Sequence, residues 1–532
     1  MVFSPLALLG CFLVILVVQL ALTLRKSRSH QTLSRIPSPK TSLPIFGDAL
    51  IFLFSTSSPS VLLAQFARSL GPLCQISIFG EPLVLVCDRV GIERVLADKE
   101  WKASFDRGSF FMGVFRGVLG QGSMLCQNSD STFTAHKKML VPSFTASSLD
   151  KHAMPIMHTS IDRLFKLWSS IPDAEAGNDK GGPLMDAERS ISLLTKEIML
   201  RFIFGADLGV LEKSDGNAQQ AHQVVSWIEV VFDTLNPIPI ITPFKRTFNI
   251  RYHYARFRLF RWMGQQIDQC MAEDESVPMV VDGMAAPWSV MKECLRRNQT
   301  NGLSTNEVRD ELFTLLLAGD DTVASQLCWI LNHLIFNPDT QRRIREELEM
   351  LPSQPELSYA EIMGLSQSLP VLSSFVSESL RLAGTIPLTS REAIRDTFLL
   401  STTDSAEAIQ YPIKKGTSIV LLLDATGKGA EVEAGKTFNL DRWLDPESGE
   451  YDASRVGSHP FSLGTRACFG IRFAQLFLRL FVARLVQEYD LFSPSMAEKS
   501  EQQQRGQEIQ VREVISRRPL ETKVRLRQMR DT

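Results

Sequence analysis

The feature that most constrains this chain is a short cysteine loop that leads directly into a helix. The loop runs from Phe461 to Gly470 and reads FSLGTRACFG, and apolar residues at helical spacing begin at Ile471. A sulfur at a helix N-terminus lies near backbone N–H groups and the positive end of the helix dipole, and both favour a thiolate. The glycines let the backbone turn tightly and approach a flat ligand closely. The alternative is a buried cysteine in a glycine-bounded turn.

The loop resembles the haem-binding signature of cytochromes P450, Phe-x-x-Gly-x-Arg-x-Cys-x-Gly. All five fixed positions match, at Phe461, Gly464, Arg466, Cys468 and Gly470. A chance match in a chain of this length is on the order of one in ten thousand. The resemblance implies that Cys468 is the axial thiolate ligand of a haem iron. It also implies that Arg466 contacts a haem propionate, while the other three residues shape the cofactor loop.

A second pattern places Glu378 and Arg381 three residues apart inside an apolar helical segment. Residues at this spacing share one helix face and can pair, although most such pairs lie at the surface and contribute little. The pattern is similar to the Glu-x-x-Arg helix of the same family, in which a second arginine completes a structural network. Arg442 occupies the position of that arginine, with Leu440 where proline is usual. The resemblance implies that these residues support the cysteine loop.

A third pattern interrupts a long apolar segment with a glycine and two carboxylates. The segment extends from Leu312 to Ile335, and the interruption lies between Ala318 and Val323. Such residues are locally unfavourable in a buried helix. A break of this kind often marks a functional site, and a polar kink in a core helix is the alternative.

This interruption resembles the oxygen-binding helix of the P450 family. The resemblance implies that Gly319 opens room over the iron and that Asp321 and Thr322 relay protons during the reaction. Asp320 is instead expected to face solvent or to distort the helix. Val323 stands where the family usually has a second threonine or serine.

Two further cations are candidates for contact with haem. Phe133 and Lys137 occupy positions where the family often has Trp-x-x-x-Arg. By this resemblance Lys137 contacts a propionate as a single-point donor, and a solvated basic helix face is the alternative. Arg391, ten residues after Arg381, is another propionate candidate by the same resemblance.

The first part of the chain predicts a membrane anchor. The run from Pro5 to Leu24 is almost entirely apolar, and about 20 apolar residues suffice to cross the bilayer core. Positive charge follows the run, which predicts an uncleaved signal anchor at residues 1–24 with the rest of the chain in the cytosol. Residues 25–49 are basic and proline-rich and predict a stiff linker. Residues 50–532 are then a haem-binding catalytic domain, held at the endoplasmic reticulum membrane by a single span.

Helical periodicity dominates the catalytic domain. It predicts a mainly α fold with a minor β region, which is the fold that the P450 resemblance implies. The clearest predicted helices are Leu194 to Phe204, Arg251 to Met271, Val308 to Phe336, Val371 to Leu382 and Ile471 to Tyr489. Short β-like runs occur at Leu73 to Val86 and Thr417 to Leu423.

Composition narrows the class of partner. The formal net charge of -2 gives no basic surface for a nucleic acid. The eight cysteines form no C-x-x-C pair, so they predict neither a zinc site nor a disulfide framework and fit a reducing compartment.

By resemblance, the chain is a monooxygenase that inserts one atom of O2 into a lipophilic small molecule, by hydroxylation or epoxidation, in specialised-metabolite biosynthesis. Its cofactor is haem b. Because the chain has no flavin or dinucleotide fingerprint, electrons are expected from NADPH through NADPH–cytochrome P450 reductase. Two alternatives remain open. One is an isomerase or dehydratase of the same fold that acts without O2, and the other is a non-catalytic protein that binds haem or lipid.

Overall fold

The computed structural model describes residues 35–529, except 41–42, 44–45, 56, 99–100, 102, 172–183, 213–217, 236–245, 276–287, 352–356, 365–366, 402–408, 429–436, 494–508 and 514. The predicted membrane anchor and the first part of the predicted linker therefore lie outside the described residues. Among the residues that are described, no helix is both long enough and apolar enough to cross a membrane.

Helices form most of the regular structure, as predicted. In chain order they are α1 (Ala49–Phe54), α2 (Pro59–Leu70), α3 (Arg89–Ala97), α4 (Ser109–Leu119), α5 (Ser131–Leu140), α6 (Met154–Ser169), α7 (Ala187–Phe204), α8 (Ala218–Phe232), α9 (Ile250–Glu275), α10 (Val290–Asn301), α11 (Thr305–Phe336), α12 (Pro338–Glu349), α13 (Tyr359–Ile362), α14 (Pro370–Ala383), α15 (Asp424–Lys428) and α16 (Ile471–Glu488). The five helices predicted from periodicity correspond to α7, α9, α11, α14 and α16, so these predictions are confirmed.

Local capping explains where α11 begins and ends. Ser304 and Glu307 form a reciprocal capping box at its N-terminus, which satisfies backbone donors that a helix start would otherwise leave unpaired. The helix ends at Asn337 because Pro338 follows and starts α12. Between these signals α11 runs for 32 residues and is buried along most of its length.

The strands are short and form separate small sheets. They are β1 (Leu73–Ile78), β2 (Glu81–Val86), β3 (Phe105–Asp106), β4 (Leu184–Asp186), β5 (Thr389–Ala393), β6 (Thr397–Ser401), β7 (Ile409–Ile413), β8 (Ser418–Leu421), β9 (Tyr489–Phe492), β10 (Val511–Glu513), β11 (Arg517–Pro519) and β12 (Lys523–Gln528). The predicted β-like run from Leu73 to Val86 is a hairpin of β1 and β2 that turns at Phe79 and Gly80, both with positive φ. The second predicted run contains β8.

The chain divides into two compact units. The first comprises residues up to Phe111 together with Pro387–Ala430 and Ser462–Ala467. Its larger sheet has the order β1-β2-β8-β5-β3, in which only the β2–β8 pair is parallel. Leu96 of α3 packs with inward residues of this sheet to form its core. Strands β6 and β7 form a separate antiparallel pair.

The second unit comprises residues 112–386, 431–461 and 468–532. Helix α11 packs against α7, α14, α16 and the β10–β11 hairpin. Strands β4, β12 and β9 form an antiparallel sheet. Fully buried aromatic side chains from several helices fill the core, among them Phe202, Phe313, Phe477 and Phe481. The helix that carries the polar interruption is therefore enclosed by the unit that it crosses.

Removing a buried aromatic ring from the core of the second unit should strongly lower the free energy of unfolding. Phe313 of α11 is fully buried and contacts the rings of Phe232 and Phe260. We expect Phe313→Ala to lower the free energy of unfolding by about 3–5 kcal/mol, because it leaves a cavity. Phe257→Ala, at a ring that is 61% exposed, is the matched control and should change stability by no more than about 0.5 kcal/mol. Urea unfolding followed by circular dichroism measures both, and equal losses would contradict the assigned core.

Candidate active site

Cys468 lies three residues before Ile471, the first residue of α16, within the second unit. Its backbone N–H donates to the carbonyl oxygen of Phe461 at 2.8 Å, which closes the loop. The residue is exposed, although the protein atoms around its sulfur desolvate it and raise the pKa of the free thiol to about 11. The backbone N–H of Gly470 donates to the sulfur and partly opposes this rise. A metal ion would supply the positive charge that a thiolate at this position requires.

The middle of the signature loop belongs to the first unit. Gly464 has a φ of +73°, which L side chains rarely adopt. A Cβ at this position would also clash with the carbonyl oxygen of Leu96. The signature glycine is therefore required both by its own conformation and by the close approach of α3.

Two arginines that the P450 resemblance assigns to the haem propionates lie close together in the first unit. Arg391, on β5, is buried, and its guanidinium donates to the carbonyl oxygen of Ser390 at 2.8 Å. Burial, and then the charge of Arg466, lower the pKa of Arg391 to about 10, while Asp106 acts in the opposite direction. Arg466 lies 3.7 Å from the Asp106 carboxylate. Two guanidinium groups therefore lie close together here, and anionic substituents such as propionates would lower the cost of that arrangement.

Glu378, Arg381 and Arg442 come together in the second unit, as the P450 resemblance implied. Arg381 and Glu378 form a bidentate salt bridge, in which Nε and Nη2 of the guanidinium each donate to one carboxylate oxygen at 2.7 Å. Both side chains are 0% exposed. Arg442 Nε lies 3.5 Å from Glu378 Oε1. The indole N–H of Trp443 and the backbone N–H of Asn439 also donate to this carboxylate, at 2.8 and 3.0 Å.

These donors determine the charge of Glu378. Burial alone would raise the pKa of its carboxyl, but the hydrogen bonds and charge of Arg381, together with the donors from Trp443 and Asn439, hold it below its usual range. The contact from Trp443 was not foreseen, although the residue directly follows Arg442 in the sequence. No sequence pattern indicates which group accepts a hydrogen bond from an indole N–H.

The polar interruption of α11 contains two carboxylates with different surroundings. Asp320 was expected to face solvent or distort the helix, and this expectation is wrong. The residue is buried, with Oδ2 lying 3.1 Å from Lys196 Nζ and Oδ1 accepting from Thr195 Oγ1 at 2.6 Å. Both partners belong to α7. Asp320 therefore ties the two helices together.

Gly319 also differs from its expected role. A Cβ at this position would clash with the side-chain end of Met199 on α7. The glycine permits close contact of the two helices, and the expectation that it opens room over an iron is not supported by this contact.

Asp321 and Thr322 remain candidates for proton transfer. The carboxylate of Asp321 is 33% exposed, and Thr322 Oγ1 donates to the carbonyl oxygen of Ala318 at 2.7 Å. Ala318 is exposed although its helical neighbours Leu317 and Val323 are buried. One face in the middle of this enclosed helix, carrying Ala318 and Thr322, therefore borders open space.

Lys137 lies on α5, half-buried, and has no ion-pair partner in the described part of the chain. Its neighbour His136 is fully buried, and its Nδ1–H donates to Glu311 Oε1 on α11 at 2.7 Å. Burial opposes the charged imidazole, but the hydrogen bond and charge of Glu311 outweigh it and raise the pKa of His136. The contact fixes α5 against α11 and was not predicted.

The residues of each unit fit a haem. The second unit offers an exposed cysteine at a helix start and an open face on α11, and the first unit offers a glycine-dependent loop with excess positive charge. Of the cofactor residues predicted from sequence, Cys468 would hold the iron, while Arg391 and Arg466 would neutralise propionates. The role of Lys137 stays a prediction.

Comparison with known proteins agrees with this chemistry. The sequence profile described as Cytochrome P450 matches residues 37–515, so the chain belongs to the cytochrome P450 family. It is 24% identical to a cytochrome P450 monooxygenase of Pestalotiopsis microspora, over 77% of this chain and 80% of the relative. It is also 24% identical to a cytochrome P450 monooxygenase of Fusarium sporotrichioides, over 86% and 91% respectively. The mitochondrial 1,25-dihydroxyvitamin D(3) 24-hydroxylase of Rattus norvegicus is 30% identical, over 74% and 69%.

The family and the site together define a haem-thiolate monooxygenase. Its cofactor is haem, and its electrons derive from NADPH through a separate redox partner. A lipophilic substrate and O2 are the reactants that the family implies. The two alternatives, an isomerase or dehydratase that acts without O2 and a non-catalytic protein that binds haem or lipid, are not favoured.

The Glu378 network predicts a large effect from a minimal change. Glu378→Gln keeps the side-chain shape but leaves Arg381 buried without its anion, so we expect about 3–5 kcal/mol of destabilisation and reduced haem content. The free energy of unfolding in urea and the haem-to-protein ratio measure this. Because the folded pKa of Glu378 is depressed, its stabilisation is present above the ordinary glutamate pKa of 4.5 and should disappear as the pH falls below it.

Asp339→Asn is the matched control for this substitution. Asp339 pairs with Arg342 at the same three-residue spacing on a helix, but the side chains are 67% and 59% exposed. Breaking this surface pair should cost less than about 1 kcal/mol. Similar losses for the two variants would contradict the assignment of Glu378 to a buried network.

Proposed function

We propose that the protein is a membrane-held monooxygenase that hydroxylates or epoxidises a lipophilic small molecule, with electrons from NADPH–cytochrome P450 reductase. The observation that carries the proposal is Cys468, exposed at the start of α16 with the Gly470 N–H directed at its sulfur. Haem, when bound, supplies the reductive activation of O2 and the transfer of one oxygen atom. The protein supplies the thiolate, a route for protons and a site that orients the substrate.

Cys468 acts as the iron ligand in this proposal. The α16 N-terminus and the Gly470 N–H stabilise negative charge on the sulfur. Buried aromatic residues of α16 pack this helix, which follows the cysteine loop, into the core. Arg391 and Arg466 bind and orient the propionate edge of the cofactor. Lys137 is a further propionate donor in this proposal, because its ammonium is half-buried and lacks an ion-pair partner in the described chain.

Asp321 and Thr322 move protons in this proposal. Asp321 is exposed enough to take a proton from water, and the Thr322 hydroxyl lies on the open face of α11 next to it in sequence. An acid followed by an alcohol suits proton delivery to O2, and an isomerase that works without O2 has no need of it. This pair favours oxygenation over the isomerase or dehydratase alternative.

The substrate class rests on the P450 family and on one relative. The rat relative is named as a hydroxylase of a dihydroxyvitamin D(3), which supports a predominantly apolar substrate here. The P450 resemblance puts Met112 and Phe115 in a mobile loop over the haem, and in this chain both are buried apolar residues of helix α4. Fungal relatives named as P450 monooxygenases support a place in specialised-metabolite biosynthesis.

Membrane attachment rests on two apolar features. One is the run from Pro5 to Leu24, which has the length of a single span. The other is an exposed apolar face at the start of α9, where Ile250, Tyr254 and Phe257 follow helical spacing and Phe248 precedes them. Residues 237–244, an apolar and proline-interrupted segment that precedes this face in the sequence, lie outside the described residues.

Basic residues accompany the exposed face of α9. Arg251 and Arg261 are exposed on the same helix. Apolar side chains flanked by arginines are typical of a surface that inserts shallowly into an anionic leaflet. Together with the anchor, this supports a location at the endoplasmic reticulum membrane with the catalytic domain in the cytosol.

The first test is the difference spectrum of the reduced protein with carbon monoxide. We expect a strongly red-shifted haem band in the parent because a thiolate donates electron density to the iron, and no such band in Cys468→Ala. Cys87→Ala, at a half-buried cysteine outside the loop, is the control and should keep the band. A folded, haem-loaded parent without the band would contradict thiolate ligation by Cys468.

A second arm of this test separates oxygenation from the alternatives. Oxygen consumption should require both NADPH and the reductase, and Thr322→Ala should raise the share of oxygen released as hydrogen peroxide. A protein that binds haem but consumes no oxygen with any reductase would support the non-catalytic alternative instead.

The membrane proposal predicts protection of the α9 face by lipid. In the haem-loaded full chain, Phe257→Cys should react with a water-soluble maleimide at least about tenfold more slowly in anionic lipid nanodiscs than in detergent. Met350→Cys, at a residue that is 83% exposed on α12's C-terminal side, is the control and should react at the same rate in both. Equal rates for Phe257→Cys would contradict insertion of this face.

A further inference from the structure

The Asp321 carboxylate is held at both oxygens by the β10–β11 hairpin. Ser516 Oγ donates to Asp321 Oδ2 at 2.5 Å, and Arg518 donates to Asp321 Oδ1 at 3.1 Å. Arg518 lies on β11, and Ser516 directly precedes this strand. Both partners come from nearly 200 positions further along the chain, and no sequence pattern pointed to either.

Arg518 bridges two carboxylates. Besides Asp321, its guanidinium donates to Glu188 at 2.9 Å and to Ser325 Oγ at 3.1 Å. Glu188 lies in the first turn of α7 and also pairs with Arg512 of β10 at 2.7 Å. The charges therefore alternate, from Asp321 through Arg518 and Glu188 to Arg512.

Burial varies along this chain of charges. The Arg518 side chain is 11% exposed, whereas that of Arg512 is 57% exposed. Burial opposes the charge of Arg518, but the negative charges around it, led by Asp321, outweigh burial and raise its pKa. Without Arg518, the carboxylates of Asp321 and Glu188 would lose the cation that both of them contact.

We propose that Arg518 is a positioning residue for proton delivery, with Ser516 as its auxiliary. The proposal rests on the proposed function, in which Asp321 and Thr322 transfer protons. Arg518 fixes the orientation of the Asp321 carboxylate on α11, so that the carboxylate takes a proton from water and passes it on. One proton enters and one leaves, and Asp321 returns to its ionised form. Arg512, which is more exposed than Arg518, pairs with Glu188 and does not contact Asp321.

The test compares Arg518→Gln, Asp321→Asn and the double variant in the full, haem-loaded chain with reductase. NADPH-driven oxygen consumption is measured without added substrate, in H2O and in D2O. Because positioned proton transfer contributes about 100-fold or more, we expect Asp321→Asn to lower the rate about 100-fold and Arg518→Gln about tenfold. The double variant should be no slower than Asp321→Asn, because Arg518 acts through Asp321.

Conservative and matched variants separate positioning from structure. Arg518→Lys keeps a cation and should recover part of the rate, and Ser516→Ala should lose less than Arg518→Gln because it leaves the ion pair intact. Arg512→Gln removes the other partner of Glu188 and should stay within about twofold of the parent. The infrared stretch of carbon monoxide on the reduced protein reports local charge without turnover, and it should shift in Arg518→Gln but not in Arg512→Gln.

Three results would overturn the inference. They are an unchanged solvent isotope effect and rate in Arg518→Gln, an additive loss in the double variant, or an equal loss in Arg512→Gln. Failure of the proposed function itself gives a different result, because the parent would then lack the red-shifted band or NADPH-dependent oxygen consumption before any variant is compared.

Discussion

The most consequential single interaction in the second unit is the one that the Glu378 carboxylate makes with its donors. A fully buried charge is costly unless its oxygens are satisfied, and here a bidentate arginine, an indole N–H and a backbone N–H satisfy both oxygens. These donors belong to α14 and to the segment around Asn439–Trp443, whose regular structure is limited to the 3-10 turn Leu440–Trp443. Because an irregular segment has few backbone contacts of its own, the Glu378 carboxylate holds this segment against α14.

Much of this arrangement could be predicted from the sequence because the signals are local. Long helices such as α11 and α16 show their apolar period directly, and the cysteine loop is specified within ten residues. The start of α7 was missed because its first turn, with Glu188 and Arg189, is polar and follows residues with no apolar period. Its beginning depends on Asp186, which accepts a hydrogen bond from the backbone N–H of Glu188.

Partners that are distant in sequence could not be predicted. Serines and arginines occur throughout the chain, so nothing distinguished Ser516 and Arg518 as the residues that hold Asp321. The same applies to Glu311 opposite His136. Resemblance to a family identifies residues that match its motifs, but these contacts involve residues outside every motif, and only packing brings them together.

The positive charges of Arg391 and Arg466 affect the stability of the first unit. Arg391 is buried, and its burial and the charge of Arg466 both lower its pKa, while Asp106 acts in the opposite direction. Burying Arg391 close to a second cation therefore has an electrostatic cost. A ligand with carboxylate substituents would lower that cost, so a cofactor that contacts Arg391 and Arg466 would also stabilise this unit.

Asp320 and Asp321 show how identical neighbours acquire different roles. Successive residues on a helix point about 100° apart, so the first faces α7 and the second faces the hairpin. Asp320 is enclosed with Lys196 and Thr195, and an enclosed ion pair cannot exchange protons readily with water. Asp321 is partly exposed and held by an arginine and a hydroxyl. The sequence could not distinguish them, because the distinction depends on which element packs against each side of α11. The same packing lets a buried helix carry two adjacent carboxylates, since each has its cation on a different element.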